Sequence, residues 1–344
     1  MKQFLKQSFY TLAGLPLIYH LGNPWRGRAC VLCYHRVLPD DEIERGKSPN
    51  SCLIMPATRF SEQMEFLAKN YKVVSINELV EHLEGNSNRF VVAVTFDDGY
   101  KDNLNHALPI LEKYNIPATI YITTRFPEGD TSMWWYEIWD FLTNVESLKV
   151  NYLGRYESWN TRSFEENTGC FEQLRDWILS FGYSQQLELM EAITSSSDRK
   201  QYLDLCLSWS EVFKLDQHPL ITIGAHTHSH PNLRHLTKEN ARSEILFSKR
   251  LLEEKLSHSI EHFAYPFGTK NEADVREFEL VNECNFKSAV TTRRETIQSY
   301  SLNSIPRLSI LPSINRQCFK GMLSGWEHLT RDMLSVPKSR IIAS

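Results

Sequence analysis

"VVAVTFDDGY", residues 91–100, sets six mostly apolar residues against an abrupt polar end at Asp97, Asp98 and Gly99. A strand with no polar face is one buried on both sides, as in parallel sheets covered by helices. Comparable β-rich runs are "ACVLCYH" (29–35), "KVVS" (72–75), "ATIYIT" (118–123), "LITIGAH" (220–226), "HFAYPF" (262–267), "KSAVTT" (287–292) and "IPRLSI" (305–310). Between them lie helix-like stretches at 60–69, 76–84, 103–114 and 237–256. The last has Thr237 as N-cap and Ala241, Ile245, Leu252 and Leu256 on one face. About eight strand–helix units of this kind predict an α/β chain closed, or nearly closed, into a barrel.

Two adjacent carboxylates at a strand end repel each other and need a compensating charge or a shared proton. Asp-Asp-Gly is also a good turn, so "TFDDG" alone leaves both readings open. A second polar cluster, "AHTHSH" (225–230), puts His226, His228 and His230 at the end of another apolar run. In a parallel barrel both strand ends open on the same face, where active sites are built. Asp98, His226 and His230 then supply one oxygen and two nitrogens, the three-ligand set of a catalytic zinc with a fourth position for water. Asp97 is placed to take a proton from that water, and His228 is left a supporting or solvent-facing role.

"TFDDG" followed by "HTHSH" resembles the first two motifs of the NodB-homology polysaccharide deacetylases, a group of carbohydrate esterases. The resemblance covers residues 29–126 and 208–312 and implies a distorted (β/α)7-8 barrel. It implies Asp97 as general base, Asp98, His226 and His230 as metal ligands, and a divalent metal, zinc first, as cofactor. "AYPFG" (264–268) is similar to the third motif, which makes the backbone N–H of Phe267 an oxyanion donor. The motif's base-orienting Arg is Ala264 here, and Arg307 in "IPRLSI" is the candidate replacement. The closing L-x-H motif is missing. "CYHRV" resembles instead a Y-H-x-V element of the family's exopolysaccharide branch, which implies His35 as the general acid.

One interval breaks the strand–helix rhythm. Residues at about 127–207 are expected to form a large, helical insertion, holding "MWWYEIWDFL" (133–142), with the helical "LSWSEVFKL" (207–215) at its end. Its Trp134, Trp135 and Trp139 either anchor the insertion or stack on sugar rings, and anchoring is the favoured role. "TSSSDRK" (194–200) reads as an exposed loop. Residues 1–28 form an apolar N-terminal segment, and 29–344 one deacetylase barrel domain carrying the insertion. Gln7, Ser8, Pro16 and His20 interrupt every window long enough for a secretory or spanning segment, leaving an amphipathic piece for the fold or a membrane surface.

Composition sets the outer limits. The 344 residues are 42% hydrophobic, enough for a large core, and a net charge of −4 with both signs interspersed argues against a nucleic-acid partner. Seven cysteines, an odd count, argue against a disulfide framework and for a reducing compartment. Cys30 and Cys33 read as small core residues on opposite faces of a strand rather than a redox pair. The expected partner is an N-acetylated glycan or glycan precursor, and the expected place is the cytoplasm, with any membrane association peripheral. The expected reaction is metal-dependent N-deacetylation of an amino sugar. Two alternatives stand beside it: a deformylase or other C–N amide hydrolase of the same fold, and an inactive glycan-binding protein.

Overall fold

The structure is a computed structural model that describes residues 2–21, 27–43, 49–129, 133–195, 202–293, 297 and 301–326. Parts of the expected N-terminal segment (residues 1 and 22–26), the loop at 196–200 and the chain end at 327–344 lie outside the described residues. The strands are β1 (Ala29–Tyr34), β2 (Arg36–Leu38), β3 (Ile54–Pro56), β4 (Lys72–Val73), β5 (Val91–Phe96), β6 (Ala118–Ile122), β7 (Ser147–Tyr152), β8 (Arg155–Asn160), β9 (Ile221–Ala225), β10 (His262–Ala264), β11 (Ser288–Val290) and β12 (Leu308–Ser309). The helices are α1 (Lys2–Ala13), α2 (Pro16–Tyr19), α3 (Ala57–Asn70), α4 (Ile76–Glu84), α5 (Leu108–Tyr114), α6 (Trp134–Leu142), α7 (Phe164–Leu179), α8 (Tyr183–Thr194), α9 (Trp209–Asp216), α10 (Lys238–Leu256), α11 (Val275–Glu283) and α12 (Arg316–Met322).

Eight strands share one parallel sheet in the order β11-β10-β9-β6-β5-β1-β12, with β4 also on β5. One edge of β5 is divided: β4 pairs with its first residues and β6 with its last. The sheet curls back on itself just before β12. There Ile305 donates its N–H to Ala289 (2.9 Å) and accepts from Thr291 (2.8 Å), pairing parallel to β11. The result is the expected distorted (β/α) barrel. Every residue of β1, β5 and β6 is buried, which is why their sequences alternate on neither face.

Local chemistry closes the helices where the sequence places their ends. Ser75 and Glu78 form a capping box at the start of α4, and Thr237 accepts from the Asn240 N–H at the start of α10. α10 buries Ala241, Ile245, Leu252 and Leu256, the stripe read from its sequence. α1 lies so close to α12 that a Cβ on Gly321 would sit 1.9 Å from the Tyr10 carbonyl oxygen. Only glycine fits there. Among the described residues no helix is long and apolar enough to cross a membrane.

The insertion, expected to be helical, also contains strands. Between α6 and α7 runs an antiparallel hairpin, β7–β8, turned by Leu153 (φ 51°) and Gly154 (φ 79°). Two successive positive φ values are what a two-residue hairpin turn requires. β7 alternates exposed and buried residues because only one of its faces is covered, here by the insertion's own core. That core is a second cluster built on Trp135, Ile138, Trp139, Phe171, Leu174 and Trp177. Trp135 and Trp139 are buried and Trp134 is half-buried, so these rings anchor the insertion.

Candidate active site

Three strand ends and one loop build the site. Asp97 and Asp98 follow β5, His226 follows β9, His35 follows β1, and Arg307 comes just before β12. Parallel register sends all of these to the carboxyl end of the sheet, apart from Arg307, whose long side chain reaches across from the start of its strand.

Asp97 is held by Arg307 through both carboxylate oxygens. Nη1 donates to Oδ1 and Nη2 to Oδ2, each at 2.6 Å. Arg307 also donates to the Thr95 hydroxyl (3.1 Å) and the Thr291 carbonyl (3.0 Å), and is fully buried. Burial alone would push the Asp97 carboxyl up. The guanidinium, with His226 and His35, overrides it and holds the group well below the usual carboxylate range. Arg307 therefore stands where the missing motif Arg was expected to be replaced, and Ala264 has a separate task described below.

Asp98 takes a left-handed backbone (φ 77°) at the turn after the strand. Its Oδ1 is 3.4 Å from His226 Nε2 and 3.4 Å from His230 Nε2, yet has no hydrogen-bond partner. A buried oxygen left without a donor and facing two ring nitrogens fits a cation better than a proton. Two ligand atoms about 2.1 Å from a tetrahedral ion lie about 3.4 Å apart, so the three residues fit such a group. The ligand atoms of Asp98, His226 and His230 all lie within 4.8 Å of one another. His226 Nδ1–H donates to the Ala264 carbonyl (2.7 Å), which fixes the tautomer with a bare Nε2. Burial pushes His230 down to about 4, keeping it neutral and available as a ligand. Burial pulls His226 the same way, but the adjacent Asp98 carboxylate lifts it above its ordinary value.

The loop carrying the histidines is strained into place. Thr227 (φ 63°) and His230 (φ 56°) are both left-handed. The Thr227 hydroxyl accepts from the His230 N–H (3.1 Å), and Glu244 of α10 accepts from the N–H groups of His228 (3.1 Å) and Ser229 (2.8 Å) and from the Ser229 hydroxyl (2.7 Å). His228 turns away from the three-residue cluster: its Nδ1 meets the Thr124 hydroxyl (3.0 Å) and its ring packs on Phe247. Phe267 is also left-handed (φ 59°), with its ring 4.9 Å from that of His230. Among the described residues its N–H donates to no protein acceptor. Trp135 packs on the other side of His230, with 5.8 Å between ring centroids.

His35 sits beside Asp97: an imidazole nitrogen, the Cys33 thiol and an Asp97 oxygen lie within 4.8 Å of one another. This trio has the residue types of a metal site, but Arg307 already occupies both Asp97 oxygens and would repel a cation. Cys33 is a buried, unpaired core residue as expected, and its thiol also donates to Asp97 Oδ2 at 3.5 Å. Glu244 and Trp135 carried no signal of their own, because each reaches the site from a different element; Thr95 lies inside the "TFDDG" run but was not singled out.

Comparison with known proteins follows the same lines. The sequence pattern of the polysaccharide deacetylases matches residues 84–149 and 176–287, just over half of the chain. YxkH of Bacillus subtilis (strain 168), named for the same family, is 32% identical over 95 residues, a match that spans 27% of this chain and 30% of that protein. Among solved structures, the Streptococcus pyogenes deacetylase PplD in complex with acetate is 20% identical with a TM-score of 0.58, over 86% of this chain and 98% of that one. IcaB from Ammonifex degensii is 18% identical with a TM-score of 0.55, over 86% and 97%. A de-N-acetylase from Aggregatibacter actinomycetemcomitans is 16% identical with a TM-score of 0.56, over 86% and 99%. At these identities the structural likeness establishes the fold.

Proposed function

The chain belongs to the polysaccharide deacetylase family, and from that premise we propose that it removes N-acetyl groups from an amino sugar of a polysaccharide or glycan precursor. The observation that carries this reading is the unpartnered Asp98 Oδ1 between His226 and His230, directly beside the Arg307-held Asp97. Asp98, His226 and His230 are the residues that would hold a divalent cation, zinc first. Such an ion, when bound, supplies Lewis-acid polarisation of the amide carbonyl and acidifies water at neutral pH.

The remaining steps belong to the chain. Asp97, kept ionised by Arg307, accepts a proton from water as its oxygen attacks the acetyl carbon. The Phe267 N–H is the free donor for the oxyanion that develops on the carbonyl oxygen. His35 gives a proton to the sugar nitrogen as the C–N bond breaks, so that the amine leaves neutral. Acetate and a free amino sugar are the products.

Acetate, formate and ammonia are to be assayed together on N-acetylated oligosaccharides, with wild type and Asp97→Asn, each with and without chelator. Acetate release is expected from wild type, lost with chelator and lowered about 10²–10⁴-fold in Asp97→Asn. Formate or ammonia as the main product would replace deacetylation by another amide hydrolysis. Binding without turnover, unchanged by chelator, would make this a glycan-binding protein.

A further inference from the structure

Arg36 follows His35 directly, and its guanidinium is buried. Nε–H donates to Asp102 Oδ2 (2.7 Å), Nη1–H donates to the Tyr136 hydroxyl (2.7 Å), and the Tyr100 ring lies 5.0 Å from the guanidinium carbon. The other Asp102 oxygen, Oδ1, accepts the Val37 N–H (3.0 Å). Asn103 Nδ2 donates to the His35 carbonyl (2.8 Å). Residues 35, 36 and 37 are thus each tied to Asp102 or Asn103. On the other side of His35, Tyr34 is buried at the end of β1 with its hydroxyl on Gln63 (2.8 Å). By contrast, no hydrogen bond is made by the His35 ring among the described residues.

Stability alone is a poor reason for this arrangement. A buried ion pair contributes little net free energy compared with apolar side chains of the same volume. What it supplies is fixed geometry. Asp102 and Asn103 begin the helical segment that runs on to Ala107, a few residues beyond the turn that carries Asp97 and Asp98, so these bonds set the His35 peptide relative to Asp97. Tyr136 adds a third element, because it comes from α6 of the insertion.

We propose that Arg36, Asp102 and Asn103 are positioning residues that clamp the backbone of His35, and that Tyr136 extends this clamp to the insertion. The proposal rests on His35 as the general acid. An imidazole with no hydrogen bond of its own keeps its aim only if its peptide is held. Misplacing a reacting group by about 1 Å lowers rate on the order of 10²-fold. The loss falls on amide cleavage, where the amine needs a proton, and spares aryl acetate cleavage, where a phenolate leaves without one.

The experiment measures both rates in wild type, Asp102→Asn, Tyr136→Phe, His35→Ala and His35→Ala/Asp102→Asn, with metal content checked throughout. Asp102→Asn is expected to lower amide cleavage roughly 10–100-fold with little change on the ester, and Tyr136→Phe to move the ratio in the same direction by less. In the His35→Ala background, Asp102→Asn is expected to add no further loss on the amide. Equal losses on both substrates, or full additivity in the double variant, would overturn the clamp and leave the acid role of His35 standing. Should Asp102→Asn not fold, an unchanged ratio in Tyr136→Phe overturns the coupling to the insertion. If His35→Ala itself leaves the ratio unchanged, the acid role fails instead. The clamp is then judged by the His35 imidazole NMR signals, which must shift or broaden in Asp102→Asn or Tyr136→Phe for it to survive.

Discussion

Among the described residues Arg307 is the largest side chain buried without solvent contact, and a guanidinium reaches such a place only with its charge matched. Asp97 matches it through two parallel hydrogen bonds, a geometry lysine could not reproduce. The consequence for pH is signed. Burial raises the Asp97 pKa, but Arg307 together with His226 and His35 more than offsets it, so Asp97 is ionised through the ordinary acidic range. In Arg307→Gln burial is opposed only by the weaker pull of His226 and His35, and the acid limb of kcat/KM is expected to move up by about 1–3 pH units. An unmoved limb would mean that another group sets it. At this scale the sequence was readable wherever a motif named the residue. Asp97, Asp98, His226 and His230 converge as read. Cys33, next to Asp97, was not readable as a site residue, because its neighbours in sequence describe only a buried strand.

Strands and helices were legible in proportion to how fully they are buried. β5, β6 and β9 are apolar runs, and α4 and α10 announce their starts with Ser75 and Thr237. β7–β8 went unread because its alternation is short and its turn is Leu-Gly rather than the Asn-Gly or Asp-Gly that signals a hairpin. One tie between elements shows how polar groups serve the core. His262 of β10 joins Asn77 at the start of α4 (2.8 Å) and Ser288 of β11 (2.9 Å). Burial pushes it down to about 4 from 6.5. The unfolded chain therefore takes up a proton that the folded one refuses. His262 imposes no acid penalty above pH 6.5, and stability is lost as pH falls from there to about 4, by roughly 3 kcal/mol. Urea titrations of wild type and His262→Gln are expected to converge as pH falls through this window. A constant gap would show that His262 is protonated in the folded state.

For the whole molecule, the parallel barrel does what no single motif can. It gathers side chains of residues from 35 to 307 around Asp97 and Asp98, and the last of them, Arg307, pairs with Asp97. The barrel itself was legible because parallel strands must be apolar on both faces. The insertion's contribution was not, because Trp135 and Tyr136 meet His230 and Arg36 only after the chain has folded. The central claim is that Asp98, His226 and His230 form one metal site on which turnover depends. Its most direct test is elemental analysis, paired with acetate release, of wild type and the variants Asp98→Ala, His226→Ala and His230→Ala. The expected result is one divalent ion per wild-type chain, with metal and activity lost together in all three variants. Unchanged metal content in all three would contradict it.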